Sequence, residues 1–249
     1  SDTDPDKTPK KPVGMLKTDW IKDWMGAHGI DLWGGADLRG FNTPLDAGGK
    51  PFAGALSLIF AMDPHVMASI ANGPNQAYAD EYARVNKQIN NISEMLAERI
   101  RSEGFQSHSV PASVRSDPIG IQGTFPHKTA ATRAGLGWIG RHCQLITRAF
   151  GSWVRLGTIF TDMPLSCGTP AQKSFCGTCM HCVQACPAGA LTGKAWHAGV
   201  GREQILDARV CDQYKKKHFS AYHQGHNCGI CSSVCPYSRK TLKTASKRC

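Results

Sequence analysis

At 249 residues the chain is long enough for one large or two moderate domains with a real hydrophobic core, and two is the reading its composition supports. No apolar run approaches transmembrane length, and eleven cysteines in so long a chain do not make the disulfide framework of a short secreted domain. The formal net charge of +10 fits attraction to nucleic acid, to an anionic cofactor or to an acidic redox partner, without choosing among them.

Residues 1–14 are polar, rich in Lys, Pro and Asp, and lack an apolar h-region, so they read as a flexible lead-in and not as a signal peptide. Leu16, Trp20, Ile21 and Trp24 share one helical face, and Gly26 and Gly29 close that segment before an extended stretch, Asp31–Leu38. The apolar run Ala55–Met62, flanked by Pro51 and Pro64, has the character of a buried central strand. Asp63-Pro64-His65-Val66-Met67-Ala68 resembles the D-x-H-x-x-G signature of proteins that ligate cobalamin through histidine. Ala68 replaces the glycine, however, and a surface turn is the expected place of His65. From Asn75 to Glu103, Tyr78, Tyr82, Val85, Ile89, Ile92, Leu96 and Ile100 recur at three or four, which predicts the longest helix, stopped by Gly104.

Phe105–Val110 reads as a strand, Lys128–Arg133 as a helix, and Gln144–Thr147 and Trp153–Thr161 as strands around a turn at Phe150-Gly151. The order is mixed α and β, the class α+β. Gly135-Leu136-Gly137-Trp138-Ile139-Gly140 contains G-x-G-x-x-G, with Asp162 downstream. A helical segment precedes the first glycine where a dinucleotide fold needs a strand, so a helix cap at Gly135 and a tight bend are expected instead. Composition changes at Pro164–Pro170, which places a domain boundary near residue 165.

Cys176-x2-Cys179-x2-Cys182-x3-Cys186-Pro187 matches the bacterial iron–sulfur run, in which three thiolates hold one cubane and the fourth reaches the other cluster. Cys228-x2-Cys231-x3-Cys235-Pro236 repeats its ending, and Cys211 fills the vacancy for an eighth ligand. The expected sets are Cys176, Cys179, Cys182 and Cys235 for one [4Fe–4S] cluster, and Cys186, Cys211, Cys228 and Cys231 for the other. Zinc favours two separated C-x2-C pairs and explains the trailing Cys-Pro poorly. Full ligation would bring the working charge to roughly +6. Cys143, Cys167 and Cys249 remain as free thiols, Cys143 in the core and Cys249 exposed on a basic tail. Oxygen-sensitive clusters beside free thiols fit a reducing cytoplasm. Lys215-Lys216-Lys217 and Arg239–Arg248 read as solvated charge or as a docking patch for an acidic partner.

Phe125–Gly140, Arg155–Leu165 and the two cysteine runs resemble the epoxyqueuosine reductase and reductive dehalogenase superfamily, and Gly-Trp-Ile-Gly leans toward the epoxyqueuosine reductases. The resemblance implies a nitroreductase-like corrinoid-binding domain over residues 15–165 followed by a ferredoxin-like double [4Fe–4S] domain over 166–249. It implies a base-off cobalamin between them, lined by Gly135, Gly137, Trp138, Gly140 and Arg141, with the nearer cluster feeding it electrons. Proton-donor candidates by residue type are Tyr78, Tyr82, His127 and Lys128. The family's acidic donor aligns with Ile121 when counted without gaps, and with Asp117-Pro118 only across a gap. The helical repeats by which epoxyqueuosine reductases help hold tRNA do not follow Cys235, which speaks against tRNA and for a small substrate of epoxide or organohalide type. The implied electron donor is a ferredoxin or flavodoxin. The competing function is a non-catalytic electron carrier or an activase for another protein's corrinoid.

Overall fold

The computed structural model describes Thr18, residues 20–112, Ile121 and residues 123–245. Leu16, Asp117-Pro118 and Cys249 lie outside the described residues. The first helix, α1 (Trp20–Ala27), buries Ile21 and Met25. It leads into a four-stranded sheet in the order β1 (Leu32–Asp37), β2 (Gly54–Ala61), β6 (Val154–Thr161), β3 (Ser107–Val110), with every neighbouring pair antiparallel. The strands described do not form a doubly wound parallel sheet, so the dinucleotide reading of Gly135–Gly140 lacks the fold it requires.

The apolar run of β2 is buried along its length because a helix covers each face. Leu56, Leu58 and Phe60 pack with Val85, Ile89, Leu96 and Ile100 of α3 (Gln76–Ser102), while Ala55 meets Phe125, Ala130 and Ala134 around α4 (His127–Arg133). The helix α3 starts where the Asn75 side chain accepts from Tyr78 N, and Gly104 follows its end at φ 88°. Between β2 and α3 lies a one-turn helix, α2 (Pro64–Ala68), capped by the Asp63 carboxylate at His65 N and Val66 N. His65 is exposed on it, at a helical turn where a plain strand-end turn was expected.

The segments Gln144–Thr147 and Trp153–Thr161 do not pair with each other. β5 (Leu145–Ile146) joins β4 (Trp138–Ile139) in a separate two-stranded ribbon, while β6 enters the main sheet. Beyond residue 165 come short elements: α5 (His181–Gln184), α6 (Ala208–His218), α7 (Ile230–Ser233) and α8 (Pro236–Ala245). They are fastened to the sheet by a buried polar node. Ser152 Oγ lies 2.8 Å from Ser232 Oγ and 2.9 Å from Ser238 Oγ, and Trp153 Nε1 donates to Ser232 O at 3.0 Å.

Candidate functional site

The eight clustered cysteines sit within and around α5, α6 and α7, and their strongest electrostatic neighbours fall mostly within the two expected sets. The Cys182 thiol is pushed up to about 12, by burial first and then by Cys235, Cys176 and Cys179 in that order. Cys228 is raised first by burial and then by Cys211 and Cys186, and Cys231 by burial and then by Cys228, Cys211, Cys182 and Cys186, so the two groups adjoin between Cys182 and Cys231. Four thiolates crowded this way repel one another unless a cationic core lies between them, which is the chemistry an iron–sulfide cubane supplies. Among the described residues no three His, Cys, Asp or Glu groups converge at single-ion spacing. Instead Cys186, Cys211, Cys228 and Cys231 stand around one cavity of about 230 Å³.

The glycine segment is used for packing within the chain. Gly135 (φ 72°) ends α4 in a Schellman arrangement, with its N–H on Thr132 O and Leu136 N on Ala131 O, and a Cβ there would lie 2.6 Å from Thr169 O. A Cβ on Gly137 would collide with Ile146 O across the β4–β5 ribbon, and one on Gly140 would lie 2.6 Å from Ile146 Cδ1. Gly135, Gly137 and Trp138 border a groove of about 380 Å³ on the ribbon's outer side. Trp138 is buried against Cys235 and Cys176. Arg141 is spent on two carbonyls of the cysteine-rich part, Gly193 O and Gly177 O, the latter at 2.6 Å. None of these five residues, expected to line the corrinoid, borders the cleft that holds the candidate proton donors.

That cleft branches at Arg155, which is on the wall of each of its three chambers. The largest, about 760 Å³, is lined by Tyr82, Asn86, His127, Lys128, His223 and Asn227, along with Ile121. A second, about 270 Å³, runs past Cys143, Gln144 and Val154, and the third is the cavity of the four cysteines. The structure therefore gathers all four predicted donors, since Tyr78 lines the cysteine chamber. They differ in state. The His127 ring is held down at about 4 by burial first and then by Arg155. Its Nδ1 lies 2.9 Å from Thr158 Oγ1, and the ring also bonds the Pro111 backbone. The Tyr78 phenol is raised by burial and then by Tyr82. Tyr82 carries the Arg155 guanidinium 4.1 Å above its ring. Lys128 Nζ donates to Cys143 O at 2.7 Å and contacts Cys143 Sγ at 3.2 Å.

Sequence reasoning passed over Arg155, Gln144, His223, His226 and Asn227. Arg155 faces out of a strand that otherwise reads as core, and its neighbours come from some seventy residues away, as with Asn86 Oδ1, which accepts from Arg155 Nε at 3.0 Å. Gln144 Nε2 points to Cys231 Sγ at 3.6 Å, linking the cleft to a cysteine far along the chain. Asn227 is 4% exposed, and its Nδ2 has no acceptor among the described residues. Its position next to Cys228 was the one available signal.

Comparison with known proteins agrees with this layout. Residues 175–238 match the family described as a 4Fe-4S double cluster binding domain. An epoxyqueuosine reductase of Vibrio cholerae is 27% identical over 239 residues, covering 87% of this chain and 56% of that protein. The chain spans about half the length of such curated relatives. Among solved structures, a reductive dehalogenase discussed for B12-dependent dehalogenation superposes with a TM-score of 0.70 at 20% identity, over 96% of this chain and 35% of that one. An epoxyqueuosine reductase bound to an epoxyqueuosine-modified tRNA stem loop gives 0.59 at 18%, over 91% and 66%. At these identities the two structures speak for the fold.

Proposed function

We propose, for a chain that belongs to the epoxyqueuosine reductase and reductive dehalogenase superfamily, that it is an iron–sulfur reductase whose cleft holds a base-off corrinoid and reduces a small epoxide- or organohalide-type substrate. The observation that carries this is the continuity of one cleft from Cys186, Cys211, Cys228 and Cys231 to Tyr82, Lys128 and Arg155. When bound, the clusters supply single electrons and the corrinoid supplies low-valent metal chemistry. In this reading residues 15–165 form the nitroreductase-like corrinoid domain and the rest a ferredoxin-like domain, with the second cysteine set being the one nearer the cleft.

The corrinoid belongs in the large chamber, away from the glycine segment. Its open volume of about 760 Å³ and the orphaned Asn227 amide donor suit a bulky ligand edged with amide carbonyls. His65 is exposed and on none of the cleft's walls, in keeping with binding that needs no histidine from that segment. For the proton, the geometry favours Lys128 and Tyr82. His127 is neutral with its ring engaged on two sides, and the buried Tyr78 phenol holds its proton tightly. Lys128 Nζ is fixed by the Cys143 carbonyl at the junction of two chambers, where it can hold a proton for substrate.

The test is anaerobic reconstitution with iron, sulfide and cobalamin, followed by a strong one-electron reductant and a panel of small epoxides and organohalides. About eight irons and eight sulfides per chain are expected. Turnover should fall at least about a hundredfold in Lys128→Met or Tyr82→Phe with cobalamin still bound. Failure to retain cobalamin refutes the reading, and reduction of only a partner's corrinoid establishes the carrier or activase.

A further inference from the structure

We infer that electrons enter through an aromatic–cation surface around Phe175, and that its partner is an acidic one-electron carrier protein. This rests on the two-cluster reading and adds the place and chemistry of delivery. Phe175 precedes Cys176 and is 48% exposed, unusual for a phenylalanine beside a metal-ligand run. It is the outer member of an aromatic group. Trp138 meets Phe175 edge-on at 5.1 Å and Tyr237 at 5.0 Å, and Tyr237 Oη donates to Phe175 O at 2.8 Å. Trp138 in turn packs on Cys235 and Cys176, so the group spans from solvent to the cysteine set farther from the cleft.

Two exposed cations ride on it. Arg148 lies 5.4 Å over the Phe175 ring and Lys240 5.1 Å over Tyr237. Arg148 is also the one charged residue on the wall of the neighbouring groove of about 380 Å³, a concavity for a partner's protruding cofactor edge. No carboxylate lines that groove among the described residues, and after Asp117 the only acidic residues in the sequence are Asp162, Glu203, Asp207 and Asp212. Each of these is engaged elsewhere, Asp162 on Gln106, Glu203 on Arg202, Asp207 on the start of α6, and Asp212 on Lys215 and Lys216. The rival basic run, Lys215–Lys217, is partly neutralised by that buried Asp212, and Lys215 is tied to His226 O at 3.2 Å. A cationic rim around an exposed aromatic centre selects an anionic face and speeds its encounter. One electron moves in the step: the carrier is oxidised by one, a [4Fe–4S]²⁺ core is reduced to the 1+ state, and no bond or proton changes hands.

The experiment is stopped-flow reduction of the cluster-loaded protein by flavodoxin hydroquinone, compared with reduction by dithionite, following the visible absorbance. The wild-type flavodoxin rate should fall steeply with ionic strength. Arg148→Glu and Lys240→Glu, or the milder Arg148→Gln and Lys240→Gln, should slow it about tenfold or more and flatten the salt dependence, with the dithionite rate and iron content unchanged. Lys217→Glu should leave it as it was. A salt-independent wild-type rate, unaltered rates in the Arg148 and Lys240 variants, or slowing by Lys217→Glu alone would overturn the proposal. Loss of iron, or no bleaching by dithionite in the wild type, would instead indict the two-cluster reading beneath it.

Discussion

One buried histidine, His142, and one half-buried, His127, make acid sensitivity a quantitative expectation. His127 and His142 are each held at about 4, against an ordinary 6.5, by burial first and then by a neighbouring cation, Arg155 for His127 and Lys128 for His142. The unfolded chain therefore binds protons on these rings that the folded chain refuses. Their contribution to stability is complete above pH 6.5 and is lost as pH falls toward 4. With those two values, linkage costs about 0.2 kcal/mol per ring at pH 7 and about 2 kcal/mol at pH 5. Together the rings remove about 3 to 4 kcal/mol between those pH values, a large part of the roughly 5–15 kcal/mol a domain possesses. Guanidinium unfolding at both pH values, read by tryptophan fluorescence, should show that loss, and His127→Gln with His142→Gln should remove most of the pH difference. Ring-proton NMR supplies the direct check. Titration of either ring near 6.5 in the folded protein, or an unchanged pH slope in the double variant, would refute the reasoning and return His127 to the list of proton donors.

Arg141→Met deprives Gly177 O and Gly193 O of a charged donor, at about 1.5–3 kcal/mol for each bond, and should speed cluster loss to a chelator severalfold, read as decay of visible absorbance. Gly137→Ala places a methyl against Ile146 O and should lower the melting temperature by about 5 °C or more, measured by circular dichroism; unaltered melting would mean the ribbon yields there. Ser152→Ala breaks the node with Ser232 and Ser238 and should cost about 1–3 kcal/mol in denaturant unfolding, with cluster content falling in step.

Much of the scaffold was legible because periodicity reports burial. The Ala55–Met62 run became the covered strand β2, and the three-and-four spacing from Tyr78 to Ile100 became α3. Pairing was not legible in the same way. Gln144–Thr147 and Trp153–Thr161 both look like strands, yet nothing in their pattern says that the first pairs with Trp138–Ile139 and the second with β2 and β3. The cysteine spacing announced a cluster domain since metal chemistry fixes ligand type and interval together. The cleft had no such interval: Tyr82, Lys128, Arg155 and Asn227 come from a helix, a helix start, a strand and a loop, and only their meeting makes a site.

The glycine segment has a role within the fold that needs no bound group. Its glycines were expected to admit a macrocycle, whereas Gly137 and Gly140 instead let β4 and β5 close on Ile146, which stiffens the turn of residues 140–144 between them. From that turn Arg141 reaches the loops at Gly177 and Gly193, Cys143 holds Lys128, and Gln144 reaches Cys231. Cys143 takes φ 62°, uncommon for a non-glycine residue, so the turn holds its shape at some backbone cost. One short rigid link thus sets the spacing between both cysteine sets and the amine in the cleft. The proposed reduction needs that spacing constant, and bulk at Gly137 or Gly140 would disturb it without touching any bound group.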